Sequence, residues 1–280
     1  MDSKKRFCIQ GVATLLQNAN FKGFFTGKIF QGTAKCVCVP GLNCYSCPGA
    51  VGACPIGSVQ NFLSAKKFRF PYYVVGLLIF FGVLLGRAVC GFLCPFGFLQ
   101  DLLHKIPFPK KIRSFRGDRL LRKLKYGVLL VMVILLPIFC KLVPVFCKYL
   151  CPSGTLSGIL LSLADTRLFR VLGGQFFWKL SVLCLVVLGS VLLYRPFCKY
   201  LCPLGAIYAP FNKISVLQMR KDADKCTQCG ACAAVCEMCV DPSQTPNSTE
   251  CIRCGKCVHA CPQDALQFTT VFQKHDNTKE

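Results

Sequence analysis

FCKYLCPSGTLSGIL, residues 146–160, returns as FCKYLCPLGAIYAPF at residues 197–211. Two further copies keep its core: CPFGFLQDLL from Cys94 and CPIGSVQNFL from Cys54. Three copies carry a second Cys four residues earlier, at Cys90, Cys147 and Cys198. The copy at Cys54 has Ala50 in that position, with Cys44 and Cys47 close by. Proline supplies no backbone donor and glycine permits a sharp turn. Each copy therefore reads as a turn followed by a short amphipathic helix along a membrane surface.

The segments between the copies are apolar. Of 280 residues, 53% are hydrophobic, and the mean hydropathy is +0.48. Residues 70–89, 126–146 and 176–195 are each close to the ~20 residues that cross a bilayer. Residues 7–30 form a fourth candidate, interrupted by Gln17, Asn18, Asn20, Lys22 and Lys28, with an interfacial helix as the alternative. The expected fold is a membrane α-helical bundle of about four transmembrane helices, built as a tandem two-helix repeat. It occupies residues 1–214 and precedes an α+β two-cluster ferredoxin domain at 215–280.

A formal charge of +22 can signal nucleic acid, but here it follows the topology, so no nucleic-acid partner is expected. Lys105, Lys110, Lys111, Arg113, Arg116, Arg119, Arg122, Lys123 and Lys125 crowd one loop, opposed by Asp101 and Asp118. That loop should be cytoplasmic. Residues 31–69 and 148–175 would then face outward and the C-terminal part inward, in a multi-pass protein of the cell membrane. No small-residue cleavage site follows the first apolar stretch, so no secretory signal peptide is expected.

The chain holds 23 Cys, and their spacing points to metal rather than disulfides. CTQCGACAAVC at 226–236 and CIRCGKCVHACP at 251–262 both follow C-x2-C-x2-C-x3-C. This doubled spacing is that of a bacterial two-cluster ferredoxin, in which the fourth Cys of each run serves the other 4Fe–4S cluster. One set is Cys226, Cys229, Cys232 and Cys261; the other is Cys251, Cys254, Cys257 and Cys236. Glu237 stands where a Pro would follow the first run, and Cys239 in the intervening stretch is a candidate substitute ligand. Zinc is the rival metal.

Parallel repeats are related by an axis along the membrane normal. That axis would bring Cys90 and Cys94 opposite Cys198 and Cys202 at the cytoplasmic face, a further four-thiolate site. On the outer face Cys147 and Cys151 would meet a pair from Cys38, Cys44, Cys47 and Cys54; alternatively those four form a site by themselves. One or two clusters beyond the ferredoxin pair are thus expected. The inner and outer sites would stand up to about 30 Å apart across the hydrocarbon, leaving room for a quinone, a flavin or a partner subunit between them. Arg87 and Arg195 each precede an inner motif by three residues. They either snorkel at helix ends or offset cluster charge. Cys8, Cys36, Cys140 and Cys184 read as packing residues.

With CGFLCPFG, CKYLCPLG and the double ferredoxin run, the chain from residue 70 onward resembles the NapH/NosR-type membrane iron–sulfur proteins, quinol-dehydrogenase components and related polyferredoxins. The resemblance implies electron transfer between the quinone pool or a cytoplasmic donor and other redox subunits, among them extracytoplasmic flavoproteins. The third CxxxCP at 147–152 and the Cys-rich segment 36–54 depart from that pattern, and the flavin-binding domain of the larger members is absent from this sequence. No nucleotide-binding glycine fingerprint or nucleophile triad is present, and His104, His259 and His275 are scattered. The chain therefore reads as an electron-transfer subunit rather than a self-sufficient enzyme. A membrane redox sensor and a zinc-stabilised scaffold are the alternatives.

Overall fold

The computed structural model describes residues 3–65, 70–109, 111–140, 143–164 and 173–271. Its longer helices, labelled here in chain order, are α1 (Ser3–Gln17), α2 (Pro55–Leu63), α3 (Tyr72–Leu85), α4 (Pro95–His104), α5 (Asp118–Val128), α6 (Pro152–Ala164), α7 (Gly174–Leu192) and α8 (Pro203–Phe211). α5 runs on as a π-helix, Leu129–Leu135, and a last turn, Leu136–Phe139. Two strands, β1 (Leu217–Lys221) and β2 (Leu266–Thr270), pair antiparallel with Met219 opposite Phe268.

The repeated motif explains how α2, α4, α6 and α8 begin. Each opens on the motif's Pro, whose fixed φ suits the first helical position, where its missing N–H would be unpaired anyway. Cys54, Cys94 and Cys202 take the extended N-cap position. The first Cys of each pair sits on its own short helix: Ala88–Phe92, Val145–Tyr149 and Pro196–Tyr200. A CxxxC pair is thus held across a helix–turn–helix corner.

The expected four-helix membrane bundle does not form. Among the described residues one helix, α7, is long and apolar enough to cross a membrane. The architecture is a mixed helical fold with a small sheet. Each of the other three candidates is cut short by its own sequence. The 7–30 segment breaks after Gln17, where Asn20 Nδ2 turns to bond the Pro48 carbonyl at 2.8 Å. α3 stops at Gly86, which has φ 54°; its 14 residues rise about 21 Å, short of the ~30 Å hydrocarbon core. The 126–146 segment leaves the helix at Cys140, whose ψ is 69°; residues 141–142 lie outside the described residues.

A second correction concerns the segment expected to face outward. The Leu42 N–H donates to Cys94 Sγ at 3.4 Å, Gln17 Nε2 donates to the Leu93 carbonyl at 2.7 Å, and the Tyr208 hydroxyl donates to the Pro40 carbonyl at 3.1 Å. The Cys-rich segment therefore lies directly on the motif expected at the opposite membrane face. The segment is closed on itself by Val39 N–H to Ala53 O and Ala53 N–H to Val37 O, at 3.0 and 2.9 Å.

One hydrophobic cluster joins the helical layers to part of the C-terminal region: Val74, Val89, Phe146, Phe197 and Tyr208 pack in the same core as Met238, Val240 and Ile252. A smaller cluster of Met219, Cys232, Cys257 and Leu266 lies under the strands.

Candidate iron–sulfur sites

The C-terminal runs build two recesses. Gln228 and Arg253, at matching positions of the two runs, have φ 54° and 55°, and Gly230 and Gly255 follow with φ 75° and 80°. These left-handed residues curl each run before its short helix, Ala231–Ala234 or Lys256–His259. Cys226, Cys229, Cys232 and Cys261 line one recess. Cys236, Cys251, Cys254 and Cys257 line the other. The fourth Cys of each run thus lines the recess of the other run. Four thiols are the donor set a 4Fe–4S cluster needs. Cys239 lines neither recess; its thiol donates to the Arg113 carbonyl at 3.0 Å.

In the helical part, Cys90, Cys94, Cys198 and Cys202 are all buried and act on one another's charge. Burial pushes the Cys198 thiol up to about 11 and raises the other three. Such thiols stay protonated unless a metal takes the place of the proton.

The two halves grip each other reciprocally. Arg195 donates to the Cys90 carbonyl at 2.6 Å, and Arg87 donates to the Cys198 carbonyl at 3.4 Å. Each arginine thus reaches the first Cys of the other half. The motif glycines make this approach possible. A Cβ on Gly97 would stand 3.0 Å from the Cys90 carbonyl and 3.2 Å from Arg195; on Gly205 it would stand 3.3 Å from the Cys198 carbonyl and 3.5 Å from Arg87. Both arginines are fully buried, which rules out snorkelling.

Asp101 holds Arg195 at 2.7 and 2.6 Å, and Glu250 holds Arg87 at 2.9 Å and Lys125 at 2.5 Å. Among the described residues Arg6, Lys35, Arg87, Lys125, Arg195, Lys199 and Arg253 are buried cations, against Asp101 and Asp118 as buried acids. Buried positive charge in such excess is costly unless a negative group shares the interior.

Of the six outer candidates, Cys54 and the Cys147–Cys151 pair belong to motifs that pack together, and Cys44 is among the groups whose charge raises the Cys54, Cys147 and Cys151 thiols. Cys147 Sγ lies 3.9 Å from the Cβ position of Gly57 in the Cys54 motif. Burial pushes the Cys54 and Cys151 thiols up to about 12. Cys38 instead meets Ser58 Oγ at 3.4 Å.

Sequence reasoning missed the glutamines that tie the motifs together. Gln100, six residues after Cys94, donates to Cys198 Sγ at 3.0 Å and accepts from the Phe197 N–H at 3.2 Å. Gln60, six residues after Cys54, accepts from the Cys147 N–H at 3.2 Å. Their shared position in the repeat was the available signal. Among the described residues, no group of three or more His, Cys, Asp or Glu side chains could hold a single metal ion.

The model of a 4Fe–4S binding domain matches residues 52–71, 72–116, 125–168 and 175–221, and a second matches 219–238 and 245–267. The chain belongs to the 4Fe–4S binding domain family. Relatives of this 4Fe–4S binding protein include an uncharacterised protein of Methanocaldococcus jannaschii, 28% identical over 79% of this chain and 88% of its own length. YccM of Escherichia coli, whose electron-transport name is provisional, is 28% identical over 66% of this chain and 51% of its own. The regulatory protein NosR of Stutzerimonas stutzeri is 27% identical over 68% of this chain and 26% of its own. No solved structure matches. The NapH/NosR-type resemblance holds, and the 4Fe–4S binding protein is a ferredoxin-like electron-transport protein.

Proposed function

We propose that the protein is a membrane-attached electron relay in which the ferredoxin-type recesses exchange electrons with a cluster held jointly by Cys90, Cys94, Cys198 and Cys202. Bound at these thiolates, 4Fe–4S clusters supply one-electron transfer. The observation that carries the reading is the docking of the Cys251 run on the Cys90 motif. A Cβ on Gly91 would lie 2.5 Å from the Ile252 carbonyl, so the residues beside Cys90 and Cys251 touch. Asn212 clamps the junction: its Nδ2 donates to the Ser248 and Cys251 carbonyls at 2.8 and 2.7 Å, and its Oδ1 accepts from the Arg87 N–H at 2.8 Å. Arg253 Nη2 donates to the Asn212 carbonyl at 2.7 Å.

In this reading Arg87 and Arg195 favour negative charge on the shared thiolates, and the packed aromatic rings of Phe96 and Phe197, 5.2 Å apart, exclude water. α7 is the proposed membrane anchor: Phe177, Trp178, Leu185 and Leu188 are exposed on it. The Ile112 N–H donates to the Leu192 carbonyl at 3.0 Å, which sets the basic stretch at the C-terminal end of α7 and so favours a cytoplasmic ferredoxin end. Donor and acceptor are then other redox subunits.

EPR of the fully reduced, anaerobic full chain tests the relay. Magnetic coupling between a ferredoxin-type cluster and the shared cluster is expected, and Cys202→Ser should remove it while leaving the ferredoxin signals. Spectra of magnetically isolated clusters would contradict the reading.

A further inference from the structure

We infer that Gln100 is a positioning residue of the shared inner site: it locks the Cys94 motif to the Cys198 motif and aims a side-chain N–H at the Cys198 sulfur, which raises the reduction potential of a cluster held there. The inference rests on the relay reading and adds the side chain that biases the relay.

The sixth position after the motif's second Cys is Gln60, Gln100, Ser157 or Tyr208 in the four copies, and all four side chains are buried. Each glutamine crosses to a copy that has none. Gln100 Oε1 accepts from the Phe197 N–H, beside Cys198, and Gln60 Oε1 accepts from the Cys147 N–H, both at 3.2 Å. Ser157 bonds the Ser153 carbonyl of its own helix at 2.8 Å, and Tyr208 bonds the Pro40 carbonyl at 3.1 Å. Each joined pair of motifs therefore combines one glutamine copy with one copy that lacks it.

The amide nitrogens of the two glutamines have different tasks. Gln60 Nε2 donates to the Met132 carbonyl at 2.8 Å. Gln100 Nε2 donates to Cys198 Sγ at 3.0 Å and meets the Phe96 carbonyl at 3.5 Å. The Gln100 amide cannot be turned over: reversed, it would set its oxygen against the Phe96 carbonyl and its NH2 against the Phe197 N–H. All of its polar atoms are engaged, so the N–H is fixed on the sulfur. A donor held on a thiolate stabilises the form with more negative charge on sulfur, which is the reduced one. At the neighbouring recess, Cys251 Sγ receives a backbone donor, the Arg253 N–H, at the longer distance of 3.4 Å. Gln100 thus favours transfer from that recess to the shared site. One electron leaves the ferredoxin-type cluster, which is oxidised, and reaches the shared cluster, which is reduced; no bond forms or breaks.

The test is an EPR-monitored redox titration of the anaerobic full chain, following the signal that Cys202→Ser removes. Gln100→Met fills similar space without a donor. It should keep the iron of the wild type and shift that signal's equilibrium roughly tenfold toward the oxidised form, a fall of about 59 mV for one electron. Gln60→Met, equally buried, should leave the potential where it is. An unshifted potential in Gln100→Met, or the same fall in Gln60→Met, would overturn the role. Pulsed EPR decides the matter even where Gln100→Met fails to fold. In wild-type protein carrying the heavy nitrogen isotope in its glutamine side chains, the reduced shared signal should show coupling to that nitrogen, and a folded Gln100→Met should lose it. No coupling in the wild type would overturn the bond to sulfur. Iron unchanged in both Cys94→Ser and Cys202→Ser would sink the relay reading itself, whereas a shared signal with neither the shift nor the coupling would sink only the role of Gln100.

Discussion

Replacing Asp101 with Asn should loosen the joint between the two halves of the chain. The carboxylate is 4% exposed and receives both Arg195 bonds, at 2.7 and 2.6 Å, together with Arg6 at 3.0 Å. Asn keeps the shape and one acceptor but leaves two buried guanidinium groups without a counter-charge. Breaking a buried pair in this way costs about 3–5 kcal/mol; with one acceptor kept, the lower end applies, roughly a hundredfold in the folding equilibrium. Burial opposes ionisation of Asp101, but Arg195 and Arg6 override it and hold the carboxyl below its ordinary range. For a depressed carboxylate the contribution is complete above the unfolded-state value and lost only as pH falls through the folded one. The gap between variant and wild type should therefore be flat from about pH 6 to 8. The assay is the denaturant midpoint for loss of visible absorbance in the anaerobic full chain. Asp222→Asn is the control: its pair with Lys225 spans 3.8 Å with side chains 37% and 58% exposed, worth less than about 0.5 kcal/mol after solvent screening. Equal midpoints for the two variants would refute the argument.

Three more outcomes follow from the same geometry. Arg87→Gln removes a buried positive charge beside the shared thiolates, so an EPR-monitored redox titration should show that signal's potential falling, by roughly 60 mV for each tenfold of lost stabilisation of the reduced form. Gly97→Ala should lower iron content, because its Cβ meets the Cys90 carbonyl at 3.0 Å; Gly158→Ala, in α6 with nothing within 4 Å, should keep all iron and add up to about 1 kcal/mol of helix stability. Cys226→Ser and Cys261→Ser should erase one and the same ferredoxin signal and leave the one lost in Cys236→Ser.

The grouping of the C-terminal thiols around two recesses was legible because the information is local: a fixed spacing, with Gly230 and Gly255 marking the two curls, sets which thiols line which recess. The meeting of the two inner motifs was legible from the repeat, since equivalent segments pack equivalently. The membrane bundle was misread for a physical reason. Hydropathy sums residues along a segment but does not register where the helix stops. Gly86 and Cys140 end helices inside apolar windows, and the Gln17–Asn20 turn ends one where the polar residues of the 7–30 window stand. The position of the Cys-rich segment was illegible because it depends on single long-range bonds, such as Leu42 to Cys94. The acidic partners Asp101 and Glu250 look like ordinary surface charges until burial shows them holding Arg195 and Arg87.

The most direct measurement of the central claim is the iron content and EPR spectrum of Cys94→Ser, Cys202→Ser and the double variant, each compared with the full-length wild type. The two Cys come from different halves of the chain, and each half supplies two thiols of a four-thiolate set. Each single substitution should erase the same signal and about four irons, and the double substitution should remove no more, with both ferredoxin signals intact throughout. Two different signals lost in the two single variants, or iron content unchanged in both, would contradict a site built jointly by the two halves.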